Sequence, residues 1–264
     1  MVMQFKTLLF DTKENVGHIT LNRPEAANSI SLELAGELMR AAMHCDEDPL
    51  IRAVLITGAG PIFCGGGDVK GFADQGENAP HHLKEITTYL HVAMSYLVRM
   101  DPPVVAAVNG SVAGAGLSLV CACDMVIAAE SARFTLAYTR LGLTPDGGAT
   151  YTLTRLVGLK RTLEMALTNR LLSAKEALDW GIVSRVVPEN DLITEAEALA
   201  SQLAAGPTKA FGATKRLLQN GLTESFEGQM KHESRSISEM ARSADGREGI
   251  AAYVGKRSPH FKGE

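Results

Sequence analysis

Two uninterrupted apolar runs, AVLITG at residues 53–58 and PVVAAV at 103–108, each lead into a cluster rich in glycine, GGG at 65–67 and GSVAGAG at 110–116. An apolar run without alternation is a strand covered on both faces, which requires helices on either side of a mostly parallel sheet. Glycine after such a strand marks a turn where bare backbone comes close to a neighbour or a ligand. Between and after the runs, apolar residues recur at helical spacing. Leu32, Leu34, Leu38, Ala41 and Ala42 predict one helix, with Ser31 as N-cap and Glu33 in its first turn. Leu83, Ile86, Thr87, Leu90, Met94 and Leu97 predict a second over 82–100. Strand, crossover helix and strand make an α/β fold with parallel pairing.

LLFDTKENVGHITLN reads as two strands around a polar turn at 12–17, and residues 125–129 as a further strand. Ser173 to Glu176 fits a capping box opening a short helix. From about Thr194 the strand signal stops and EAEALASQLAA and the segments after Pro207 read as helices. The expected division is a core over 1–195 and a helical region over 196–264.

A formal net charge of -4 argues against nucleic acid and anionic membrane surfaces as partners. The apolar runs are too short to span a bilayer, and Lys6 and Asp11 break the N-terminal run too early for a secretion signal. Cys45, Cys64, Cys121 and Cys123 lack metal-ligand spacing and the density of a disulfide scaffold. Reduced thiols, a cytoplasmic setting and no metal are the expectations.

The two glycine turns each precede a predicted helix, whose first N–H groups lack intrahelical partners. Aimed at one point they would form an anion hole. Neither turn has the spacing of a phosphate-binding or dinucleotide-binding loop. A third stretch, RLGLTPDGGATY at 140–151, holds Asp146 between a proline and two glycines in apolar surroundings. Asp146 reads either as the N-cap of a helix starting near Ala149 or as a carboxylate held for chemistry.

In this order and spacing, LNRPEAANSIS, FCGGGDVK, VNGSVAGAG, LTRLVGLKRTLEMALTNRLLSAKEALDWGIVSRVVP and EGIAAYVGKRSPHFKG resemble the motifs of the enoyl-CoA hydratase/isomerase, or crotonase, superfamily. The resemblance covers nearly the whole chain. It implies a spiral of β-β-α units with a C-terminal helical domain, assembly as trimers or dimers of trimers, and acyl-CoA thioesters as substrates with no cofactor beyond coenzyme A itself. It implies N–H donors for an enolate oxygen at Gly65 and Ala115, with Gly66, Gly67 and Gly114 alongside. The nucleotide of CoA would lie near Ala26, Ala27 and Asp68, and Tyr253 and Lys256 would reach it from an adjacent subunit.

The same resemblance exposes departures. The two glutamates of typical hydratases fall on Ser118 and Tyr138. Neither is a carboxylate base, since a phenol titrates near pH ~10. Hydration loses its usual groups, whereas a double-bond shift needs one carboxylate to take a proton from one carbon and return it to another. Asp146 falls where the family's Δ3,Δ2-enoyl-CoA isomerases and the ring-oxepin isomerase of phenylacetate breakdown place their acid. A rival reading is 4-chlorobenzoyl-CoA dehalogenase, with Asp146 as nucleophile and His91 as the base that activates water. A third is a CoA-binding homologue without turnover. Residues 73–82 are expected as a mobile stretch that shapes the acyl pocket.

Overall fold

The computed structural model describes residues 4–264. Among the described residues ten strands run in chain order: β1 Leu8–Lys13, β2 Val16–Leu21, β3 Ala53–Gly58, β4 Ile62–Cys64, β5 Val104–Val108, β6 Ser111–Ala113, β7 Met125–Ala129, β8 Arg133–Thr135, β9 Leu172–Ser173 and β10 Arg185–Val187. They form a six-stranded sheet ordered β1-β2-β3-β5-β7-β10 and a four-stranded sheet ordered β4-β6-β8-β9. Within the large sheet only β1–β2 is antiparallel. Each consecutive pair, β3/β4, β5/β6 and β7/β8, gives one strand to each sheet before the chain moves on. This repeat is the expected spiral of β-β-α units.

The helices are α1 Leu32–Glu47, α2 Val69–Asp74, α3 Ala79–Arg99, α4 Ala115–Ala122, α5 Ala149–Val157, α6 Leu159–Thr168, α7 Ala174–Asp179, α8 Leu192–Ala204, α9 Thr208–Asn220, α10 Phe226–Met240 and α11 Ala244–Val254. The predicted caps form: Ser31 Oγ accepts the Leu34 N–H at 3.2 Å, and Ser173 and Glu176 cap each other. The first hairpin turn is tighter than 12–17, because Glu14 and Asn15 both take positive φ and make a two-residue connection. No helix among the described residues is long and apolar enough to cross a membrane.

The continuous apolar strands are explained by two cores. Val54 and Ile56 of β3 and Val104, Ala106 and Val108 of β5 face the core with α1 and α3. Ala53, Leu55, Val105 and Ala107, the alternate residues, pack against Leu192, Ala196, Ala200 and Ala204 of α8. A boundary at 195 therefore falls inside a helix that covers the sheet. The helical region separates only after α8, because the parallel sheet needs that helix on its second face.

Beyond it, α9 is fastened by Lys215, whose ammonium meets the Asp124 carboxylate at 2.6 Å, with both side chains largely out of water. The C-terminal tail returns to the body: the Asp245 carboxylate accepts the N–H groups of Lys262 and Gly263 at 2.7 and 2.8 Å.

Candidate active site

The two glycine turns converge. Gly66 takes φ +99°, and a Cβ there would stand 3.0 Å from the Ala113 carbonyl and 3.4 Å from Gly114 Cα. Only glycine allows this conformation and this approach. Beside the contact lies a cavity of about 250 Å³, with Gly65, Gly66, Gly67, Gly114 and Ala115 on one wall. Leu83, Ile86, Thr87 and Leu90, from the N-terminal part of the predicted stripe of α3, also line it. Leu141, Leu143, Tyr138 and Asp146 complete it. Residues 73–82 do not line it. They are ordered as the end of α2, a short 3-10 turn and the start of α3, and the flanking Val69, Phe72 and Leu83 take the expected role. Phe72 and His82 meet edge-on at 6.4 Å across that stretch.

The donors differ from expectation at one position. Gly65 N–H is committed to the Ala27 carbonyl at 2.8 Å and cannot serve a ligand. Gly66 N–H lies against the Cys64 sulfur. Gly67 forms a parallel bridge with Ile30, in which Ile30 N–H bonds Gly66 and Asp68 N–H bonds Ile30. In such a bridge the central residue's own N–H points away from its partner, and Gly67 lines the cavity. Ala115 is the first residue of α4, following Gly114 as N-cap. Among the described residues the Gly67 and Ala115 N–H groups find no acceptor. Those two, on one cavity wall, are the available pair.

Asp146 is not a helix cap. Gly148 occupies the N-cap of α5, and no side chain caps that end. Instead the Tyr138 hydroxyl donates to Asp146 Oδ1 at 2.5 Å, and the other carboxylate oxygen has no partner among the described residues. Burial, the Asp146 charge and this hydrogen bond push the Tyr138 phenol well above its ordinary range, so it stays protonated and donates. Ser118, fully buried, donates to the Asp146 carbonyl at 2.8 Å. Among the described residues, Asp146 is the sole ionisable carboxylate lining this cavity.

A profile of the enoyl-CoA hydratase/isomerase family matches residues 11–264. The chain belongs to that family. A probable enoyl-CoA hydratase of Rhodobacter capsulatus is 40% identical over 99% of this chain and all of its own length. The 1,2-epoxyphenylacetyl-CoA isomerase of Escherichia coli K12 is 37% identical over the full length of both. An enoyl-CoA hydratase structure from Bacillus anthracis superposes with a TM-score of 0.92 at 34% identity, covering 98% of this chain and all of that one. The protein is thus a crotonase-fold enzyme that processes acyl-CoA.

In this crotonase the remaining expected residues are spread out. Ala26 and Asp68 line a groove beside the cavity with Arg23 and Lys70, and Ala27 packs behind Gly65. The Asp68 carboxylate is already engaged: it caps α2 through Gly71 N–H at 3.1 Å and pairs with Arg23 at 2.9 Å. Burial alone would raise its pKa, but the Gly71 bond and Arg23 outweigh it and hold it low. Arg23, which the sequence pattern did not single out, is the cation that fixes this corner. His91 is not in the acyl cavity; it lines a second one, with Nε2 accepting Gly147 N–H at 3.1 Å. Tyr253 and Lys256 lie exposed at the end of α11 and line none of the three sites described. Burial pushes the Cys64 thiol beside the first turn up to about 11, which makes it a poor nucleophile. Among the described residues no cluster of three or more His, Cys, Asp or Glu is arranged for a metal.

Proposed function

We propose that this crotonase shifts a carbon–carbon double bond in an enoyl-CoA thioester, with Asp146 as the single acid/base. The observation that carries the reading is one carboxylate, with one oxygen unused, in an otherwise uncharged cavity beside two free N–H donors. A thioester carbonyl set against Gly67 and Ala115 makes the adjoining carbons acidic. The free oxygen of Asp146 takes a proton from the α-carbon, and the electrons move into a dienolate whose oxygen charge rests on the two N–H groups. The same carboxyl then returns the proton to the γ-carbon, and the double bond moves from β,γ to α,β. Each donor is worth ~3 kcal/mol, by analogy with oxyanion-hole mutants elsewhere. The CoA portion would continue past Gly67 into the groove of Arg23, Ala26 and Lys70.

Hydration is disfavoured because Ser118 and Tyr138 stand where the two glutamates of typical hydratases would add water. The dehalogenase reading is disfavoured because His91 faces another cavity and its Nε2 is occupied. A panel of 3-enoyl, 2-enoyl and 4-halobenzoyl thioesters, followed by mass and ultraviolet absorption, tests the proposal. The expected result is 3-enoyl conversion to 2-enoyl at unchanged mass. Faster addition of water to the 2-enoyl thioester, or release of halide, would replace it.

The same reading assigns exposed Tyr253 and Lys256 to the nucleotide bound by a neighbouring copy, so a homotrimer or hexamer is expected. Light scattering that returned a stable particle of the chain mass, 28.2 kDa, at micromolar concentration would remove this assignment.

A further inference from the structure

The peptide unit joining Asp146 to Gly147 is gripped on both edges by side chains from two different helices. On one edge the Asp146 carbonyl accepts Ser118 Oγ of α4 at 2.8 Å, along with Ala149 N–H at 3.1 Å. On the other edge Gly147 N–H donates to His91 Nε2 of α3 at 3.1 Å. There is little slack between these holds. Gly147 is buried with φ +60°, and a Cβ there would stand 2.8 Å from Ser118 Cβ. Rotation of this peptide would swing Asp146 Cα and carry its carboxylate off the Tyr138 hydroxyl.

From this geometry we infer that His91 is a positioning residue: through Gly147 N–H it fixes the peptide plane that aims Asp146, and Ser118 is its counterpart on the opposite edge. The ring acts as an acceptor, so it is neutral with its proton on Nδ1; an imidazolium has only donors and would release the turn. His91 touches no part of the acyl cavity, so its effect falls on the proton transfer and not on thioester binding. Both side chains thus hold the turn in place, Ser118 from the position of a lost glutamate and His91 from the place a dehalogenase would use for its base.

The inference rests on Asp146 being the acid/base, and the test separates the two. With a 3-enoyl-CoA substrate, His91→Leu is expected to lower kcat about tenfold, the factor that accompanies loss of one such hydrogen bond, with KM within about twofold. His91→Gln, whose amide oxygen can reach the Nε2 position, is expected to recover most of that loss. Asp146→Asn is run beside them. Full turnover in Asp146→Asn overturns the assignment of the base and the positioning role with it. An inactive Asp146→Asn enzyme with wild-type kcat in His91→Leu overturns the positioning role alone, as does an equal loss in the Leu and Gln variants. A crystal structure of His91→Leu supplies a readout independent of turnover. A turn at 145–148 displaced in the Leu variant and restored in the Gln variant supports the role, and an unmoved turn ends it.

Discussion

Asp146→Asn should slow isomerisation of a 3-enoyl-CoA thioester by at least ~10²-fold, the lower end of what general acid–base catalysis contributes. The amide keeps the size of the side chain, and its oxygen can still accept the Tyr138 hydroxyl that now meets Oδ1. What disappears is the second, uncommitted oxygen as a proton acceptor. Because the Gly67 and Ala115 N–H groups are untouched, affinity for acetoacetyl-CoA, whose enolate mimics the intermediate, should change little in calorimetry. Tyr138→Phe makes a graded comparison. It removes one hydrogen bond to a charged group, worth ~1.5–3 kcal/mol or about 10- to 150-fold at most, and leaves the base in place, so its loss should stay below that of Asp146→Asn measured beside it. If Asp146 were only a turn residue, the Asn variant, which suits such a position equally well, would keep both its stability and its turnover. A folded Asp146→Asn enzyme with wild-type isomerase rates would end the case for this carboxylate.

The architecture is legible where burial is written into composition. Unalternating runs such as AVLITG read as strands covered twice, and their two faces indeed meet two cores. The same logic misplaces the boundary at 195: EAEALASQLAA reads as a helix, but nothing in it says that Ala196 and Ala200 cover the sheet. At the site, PDGG announces a shaped turn around Asp146, yet the partner that distinguishes a cap from a held base is Tyr138, whose direction depends on the turn between them. The triple glycine misleads for a similar reason. Peptide directions alternate along an extended strand, but φ +99° at Gly66 breaks the alternation. Three identical residues do not reveal which of them carries that break. Only the bonds to Ala27 and Ile30, more than thirty positions upstream, show that Gly65 is committed and Gly67 is free. For His91 the helical stripe gives an edge position, but not which side of the Asp146 turn that edge faces.

Ala115→Pro isolates the other half of the proposed chemistry. Proline is well tolerated as the first residue of a helix, where its missing N–H has no intrahelical partner to lose. Ala115 occupies that position in α4, and its N–H bonds no acceptor among the described residues. The substitution should therefore leave folding nearly intact, with a melting temperature within a few degrees of wild type. At the cavity wall it removes a hydrogen-bond donor and sets a methylene where the thioester oxygen would sit. Loss of one preorganised donor alone typically costs ~10²–10³-fold in rate, and the methylene can only add to that. Read as kcat/KM for a 3-enoyl-CoA, the fall should be at least ~10²-fold. Gly65→Ala offers the matched control on the first turn. Its new Cβ would meet Ala27 Cβ at 3.2 Å and its N–H already serves the Ala27 carbonyl, so any effect should be on local packing and far smaller on rate. A folded Ala115→Pro enzyme with undiminished kcat/KM would mean that the thioester oxygen does not lie between the two glycine turns, and the enolate mechanism would lose its anchor.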